Sequence, residues 1–400
     1  MNKPLPHQIL EVTADRYGTH KVLNQAQPAA GFNAFSGDAL LCAAIEREAP
    51  WAAARCAALG AVAGDEGVQE LARLANRHTP ELKTHDRFGN RIDWVEFHPS
   101  WHELMSLAWR HEVPNLSWRT QEKIGHYARA VLSYLWNQVE HGTACPTGMA
   151  YASYAGFESE PALAIWKEKS LGTVYEFSRR EVGDKPSVVI GYAMTEKQGG
   201  SDLRETQTTA RFSHSADYHG ATAHWYELTG HKWFCSVPQS DGFFTLAKVN
   251  GGVTCFFLPR TLPDGSYNRF LVQRLKDKAG NRSNASSEVE YAGTMAIRVG
   301  EEGRGLREIL SHFAPHPYGF RRRLGGPNAP GAYARAASHH DAQRLRHHAR
   351  RAAHDDQRAG RHGGGGRGRY VDGAARGQGH RPLGGKRTRK AACPSGDARG

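Results

Sequence analysis

The chain lacks any run of about 18 apolar residues, which excludes a helical membrane span. It has six cysteines (Cys42, Cys56, Cys145, Cys235, Cys255 and Cys393), with no CxxC pair and no framework spacing. That excludes a disulfide scaffold or a zinc ribbon and fits reduced thiols in a cytosolic protein, with no metal site expected. Met1 to Phe32 lacks both an apolar core stretch and an Arg-rich amphipathic stretch. Neither a secretory nor a transit signal is therefore expected, and a cytoplasmic location follows. Strand–helix alternation is missing too, which argues against a dinucleotide-binding Rossmann unit.

One absence is local. Beyond Phe313 there is no Ile, Met or Trp, and beyond Arg321 the large aliphatics are Leu324, Leu345, Val371 and Leu383 alone. Residues 321–400 hold 17 Arg and 2 Lys against 5 Asp and no Glu. The first 320 residues carry 33 basic and 35 acidic side chains, so the net +12 of the whole chain comes from this tail. Such a segment cannot bury a core. A pI near 9.5 is thus no argument for nucleic-acid binding by the body, which is near neutral and long enough for one or two domains.

The pattern divides the chain. Residues 1–35 read as an extended leader and 36–184 as a helical domain. Ser36-Gly37-Asp38 caps a first helix, and Pro50 interrupts before an Ala-rich helix over 51–62. A third helix covers 66–76, and Ser100 with Glu103 forms a capping box for a fourth. A long helix over 120–141 carries Ile124, Tyr127, Val131 and Leu135 on one face. From about Lys185 to residue 300 short strands recur, at 188–190, 206–212, 225–229, 243–249, 253–258, 270–274 and 288–291, which spells a small barrel or sandwich. Gly300 to Gly305 misses the GxGxxG spacing and reads as a loop into a helix near Leu306. Residues 301–312 begin a further helical domain, and 313–400 form the tail.

Two segments carry candidate chemistry, while a third, Leu275 to Ser286, reads alone as a polar, charged hairpin loop. Gly191 to Asp202 is a strand end followed by a loop rich in Gly and hydroxyls, able to bring backbone N–H groups close to a polar ligand. Composition alone favours a tight turn with solvent-facing polar residues. Gly230 to Pro238 sets Trp233 beside hydroxyl and thiol residues, where it could stack on a flat heterocycle or simply fill a barrel core.

Taken together, MTEKQGGSD (194–202), GHKWFCSVPQSD (230–241), CFFLPR (255–260), RLKDKAGNRSNASSEVEY (274–291) and GEEGRG (300–305) resemble the acyl-CoA dehydrogenase superfamily in order and spacing. They are most similar to its AidB branch, the adaptive- or alkylation-response flavoproteins, with an isovaleryl-CoA dehydrogenase-like character. LARLANRHTPEL (71–82), FHPSWHELM (97–105) and NLSW (115–118) extend the resemblance, which covers roughly residues 30–312. It implies an α+β fold: an all-α N-terminal domain, a middle β-barrel and a C-terminal helical bundle around FAD. The family's flavin loop maps onto Tyr192, Ala193, Met194, Thr195, Glu196, Lys197, Gln198, Gly199, Gly200 and Ser201. Its segment against the isoalloxazine maps onto Trp233, Phe234, Cys235 and Ser236. The hydroxyl near flavin N5 has two counterparts, Cys235 and Ser236, with Ser236 favoured.

The implied chemistry is α,β-desaturation of an acyl-CoA thioester by an oxidoreductase acting on CH–CH groups, with a desolvated Glu as base. In most of the family that Glu lies in the C-terminal bundle, and no such motif follows residue 313. The expectation is therefore a truncated, catalytically impaired homologue, poorly loaded with flavin, whose family homo-oligomer and C-terminal DNA-binding domain are in doubt. Three readings compete for the tail: an RGG-like RNA-binding arm (HGGGGRGRY, 362–370), a non-specific phosphate-backbone binder, and an out-of-frame reading of a GC-rich gene. The abrupt switch inside a helix favours the last. The alternative function is a non-catalytic protein that protects DNA through its basic arm.

Overall fold

The computed structural model describes residues 30–200 and 202–313. The tail beyond Phe313, Ser201 and most of the leader lie outside the described residues, and so do the three readings of the tail.

The N-terminal layer is helical. Helix α1 (Ala39–Glu48) starts where the Asp38 side chain accepts from Leu41 N at 3.0 Å, as the sequence implied. A single 3₁₀ turn at Pro50–Ala52 leads into α2 (Ala53–Ala63), and Asp65 caps α3 (Glu66–Arg77). A hairpin then intervenes, β1 (Glu81–His85) with β2 (Arg91–Glu96). Helix α4 (Pro99–Arg110) follows, then α5 (Leu116–Arg119), α6 (Gly125–Trp136), α7 (His141–Gly156) and α8 (Ala164–Lys169).

Two expectations are corrected. The capping box at Ser100 and Glu103 does not form: Pro99 occupies the first helical position, so His98 is the cap and its ring accepts from Ser100 N at 3.2 Å. The helix foreseen over 120–141 is nearly three turns shorter, at 12 residues. Ile124 sits in the left-handed region at φ +62° and is exposed, and the chain turns after Trp136 so that Glu140 can cap α7.

The middle layer is β: β3 (Ile190–Ala193), β4 (Thr209–Tyr218), β5 (Ala221–Ser236), β6 (Gly242–Val249), β7 (Gly252–Pro259), β8 (Phe270–Leu275) and β9 (Ser286–Val299). Pairings run β5–β4–β6–β7–β9 and return to β5, so the sheet closes into a barrel. Strand β3 lies parallel to β6 and touches β5 at Ala193–Cys235, while β8 adds to β9.

Period-2 alternation explains why β6 and β7 read as continuous apolar runs. Phe243 and Phe256 point into the barrel with Phe270 and Tyr291. Phe244 and Phe257 point outward and meet Phe157 from the end of α7 and Trp166 of α8. Each of these rings contributes roughly 1.5–3 kcal/mol by burial, so the barrel wall is also the floor of the helical layer. Helix α9 (Gly305–Phe313) completes the described chain, with His312 wedged between Tyr192, Phe244 and Gly156.

Candidate functional site

The two segments singled out in the sequence lie side by side. Strand β3 ends at Ala193 against Cys235, and Trp233 N then donates to Thr195 O at 2.7 Å. Glu196 and Gly199 exchange backbone hydrogen bonds of 3.1 and 3.2 Å, which makes the loop a tight turn. Lys197 N reaches the His231 ring at 3.1 Å. A Cβ on Gly200 would come within 2.8 Å of Thr195 Cγ2, so glycine leaves the room in which the Thr195 side chain lies. The Thr195 side chain is thus folded over the loop.

The loop is bolted down by a buried ion pair. Glu196 takes Lys232 Nζ at 2.7 Å, Thr208 Oγ1 at 2.6 Å and Gln207 N at 2.7 Å, while Gln198 Nε2 donates to it at 2.6 Å. Lys232 also donates to Leu246 O at 2.7 Å, and both side chains are within 1% of full burial. Burial works to raise the Glu196 carboxyl, but the Lys232 ammonium and the Thr208 and Gln207 donors outweigh it and hold the group at about 2. Burial lowers Lys232 to about 8 against the pull of Glu196, so both remain charged at neutral pH. Glu196 is therefore an anchor with every lone pair engaged, not a poised base.

The facing segment divides its side chains between barrel and surface. Cys235 is fully buried among the interior residues, and burial pushes its thiol up to about 12. Phe234 is 40% exposed. Trp233 is half-buried beneath Lys276, whose Nζ lies 3.2 Å from the ring centroid, with Lys197 and Arg274 each 5.7 Å away. Tyr192 points the other way, stacked on Phe244 with its hydroxyl 3.3 Å from His312 Nδ1.

Beyond Ser236 a polar chain continues into the β8–β9 loop. Ser236 Oγ lies 3.4 Å from Ser286 Oγ, and Lys278 Nζ donates to Ser286 Oγ at 3.0 Å and to Asn284 O at 2.7 Å. Both side-chain atoms of Asn284 are buried without a partner. The neighbouring Ser283 donates to Glu140 Oε1 at 2.6 Å, tying this loop to the start of α7. Gly142 leaves the room for it, because a Cβ there would fall 1.8 Å from Ser283 Oγ.

Comparison with known proteins gives this arrangement a family. Residues 24–177 match the adaptive response protein AidB N-terminal domain, and residues 191–294 match the acyl-CoA dehydrogenase middle domain. Over 296 residues the chain is 42% identical to the putative acyl-CoA dehydrogenase AidB of Escherichia coli, covering 73% of this chain and 53% of that protein. The chain belongs to the AidB-like acyl-CoA dehydrogenase family. The acyl-CoA dehydrogenase family member 11 of Caenorhabditis elegans is 25% identical over 278 residues, 64% of this chain and 43% of that one. Among solved structures, Bd2924 in its apo form has a TM-score of 0.62 at 24% identity, covering 72% of this chain and 58% of its own. Caenorhabditis elegans ACDH-11 in complex with C11-CoA has a TM-score of 0.61 at 23% identity, covering 75% and 52%. These likenesses show the fold, a helical layer followed by the mixed sheet. The chain spans about half the length of the curated relatives it matches.

Within that family frame, two further buried carboxylates near the two segments are committed as Glu196 is. Glu140 takes Thr143 N, Asn76 Nδ2 and Ser283 Oγ. Glu288 is held by Lys276 and Arg274, whose donors outweigh burial and depress its carboxyl. No group of three or more His, Cys, Asp or Glu among the described residues could hold a metal ion, and no described helix is long and apolar enough to cross a membrane. Sequence reasoning missed Lys232, Thr208, Lys276, Lys278 and Asn284. Their only trace was membership of the GHKW and KDKAGNRSNAS strings and, for Thr208, of the strand expected over 206–212, without any hint of which side chains turn inward.

Proposed function

We propose that this chain is an FAD-binding, AidB-like acyl-CoA dehydrogenase homologue of the alkylation-response type, with impaired turnover. The observation that carries the reading is the closure of the 192–200 loop onto Trp233–Ser236 by Trp233 N and the Glu196–Lys232 pair. The residues present suit a flat heterocycle with a polar rim. Phe234 and Trp233 offer aromatic surface, while the unpartnered Asn284 amide and the Ser236–Ser286–Lys278 chain offer donors and acceptors beside it. Thr195, the loop backbone and Ser236 would hold FAD, which when bound accepts hydride from the β-carbon of an acyl-CoA thioester. Lys232 keeps the loop in register by neutralising Glu196 inside the barrel wall, and Gly200 lets Thr195 lie flat across the turn.

Impairment follows from the carboxylates. Removing an α-proton needs a carboxylate of raised basicity within reach, and Glu140, Glu196 and Glu288 are all saturated with donors. The test is the flavin content of the purified full chain, followed by anaerobic addition of a short branched acyl-CoA. The expected result is substoichiometric flavin, uptake of added FAD, and little bleaching. A stoichiometric holoprotein that bleaches fully contradicts the impairment, and a chain that takes up no FAD contradicts the proposal as a whole.

A further inference from the structure

On the side of the barrel lined by the β1–β2 hairpin lies a cavity of about 30 Å³, whose polar lining is Asp93, Arg179, Gln239, Ser240, Asp241 and Arg260 among others. None of the residues facing the 192–200 loop lines it. Five buried polar atoms here have no hydrogen-bond partner: Asp93 Oδ1, Gln239 Nε2 and Oε1, Ser240 Oγ and Arg260 Nε. Ser240 is 1% exposed. Orphaned buried groups at this density in one place call for an occupant.

Charge narrows the choice. Lys185 pairs with Asp241 at 2.7 Å and Arg91 with Asp93 at 2.9 Å. Arg179 and Arg260 have no carboxylate within ion-pair distance among the described residues. Arg179 is spent on Asp93 O at 2.8 Å and on the Trp94 and Tyr267 rings, and Arg260 on Pro238 O and the Phe270 ring. Around the cavity Arg91, Arg179, Lys185 and Arg260 thus outnumber the carboxylates Asp93 and Asp241, and a bound anion offsets the excess. The cavity exceeds the 10–15 Å³ or so that one water needs, and suits one small ion rather than a nucleotide. The orphaned set is mixed, however. Arg260 Nε, Gln239 Nε2 and Ser240 Oγ seek an acceptor, whereas Asp93 Oδ1 and Gln239 Oε1 seek a donor.

We propose that this cavity is a site for a small oxyanion that keeps a proton, of the hydrogen phosphate class. Its negative oxygens take Arg260, Gln239 and Ser240, and its O–H donates to Asp93 Oδ1. Arg179 and Tyr267, both partly exposed, mark the way in. Sulfate has the same shape and no proton at neutral pH, so Asp93 rejects it.

Thermal unfolding of the full chain, titrated with inorganic phosphate or sulfate at fixed ionic strength, tests this. Phosphate is expected to stabilise saturably at low-millimolar concentration, with sulfate about tenfold weaker because one buried acceptor stays unmade. Asp93→Asn replaces the acceptor by an amide donor at a position with φ +43°, which Asn tolerates. That variant is expected to take sulfate as well as phosphate. Ser240→Ala, which alters no backbone requirement, is expected to weaken phosphate several-fold. Equal stabilisation of the natural chain by the two anions, or none by phosphate, overturns the proposal.

Discussion

Lys232→Met is expected to destabilise the fold by about 3–5 kcal/mol, the usual consequence of stranding one member of a buried ion pair. The Glu196 carboxylate would remain inside the barrel wall with Thr208 and Gln207 as donors but without its counter-charge. Leu246 O would lose its donor as well. Chemical denaturation followed by intrinsic fluorescence measures the loss. The double variant Glu196→Gln/Lys232→Met should recover a large part of it, because both charges then leave together. Acid sensitivity carries the same information. The Glu196 carboxyl is held at about 2 against an ordinary 4.5, so its contribution is fully present above the unfolded value and is lost as pH falls through the folded one. That shift corresponds to about 3 kcal/mol. Glu196→Gln should therefore flatten the acid limb of the stability profile between about pH 4.5 and pH 2.

Trp233→Ala is expected to weaken FAD binding by about tenfold or more, equivalent to about 1.4 kcal/mol, while leaving the barrel folded. The indole is half-buried at the surface and not in the core, so its removal opens no large cavity. What it does remove is the platform between Lys276, Arg274 and Lys197, three cations gathered within 6 Å of one ring. Without the ring Lys276 is left with Glu288 alone, and the loop loses the side chain adjoining its Trp233 N–Thr195 O bond. Flavin fluorescence quenching gives the affinity and far-ultraviolet circular dichroism checks the fold. An unchanged affinity would place the flavin elsewhere.

The barrel was legible in the sequence because its strands alternate, and because the doubly covered β6 and β7 are almost wholly apolar between Gly and Asn turns. The β1–β2 hairpin was not legible. Glu81–His85 is polar and largely exposed, so it carries neither the helical nor the strand period strongly. The extent of α6 was misread because an apolar face continues past Trp136, whereas the chain turns there to let Glu140 cap α7 and meet Ser283, 143 residues away. The site shows the same division. Local strings located the 192–200 and 233–236 segments, yet the residues that fix them are paired at a distance: Lys232 with Glu196 across 36 residues, and Ser286 with Ser236 across 50. Such pairing depends on strand register, which one strand's sequence does not encode alone.

The central claim is that residues 192–200 and 232–236 form one flavin-holding unit. Hydrogen–deuterium exchange of the full chain with and without saturating FAD tests it most directly. The account predicts that amides of both segments slow together on adding FAD, with the β8–β9 loop around Asn284 following. Flavin binding that leaves both segments unchanged, or protects one without the other, would contradict it.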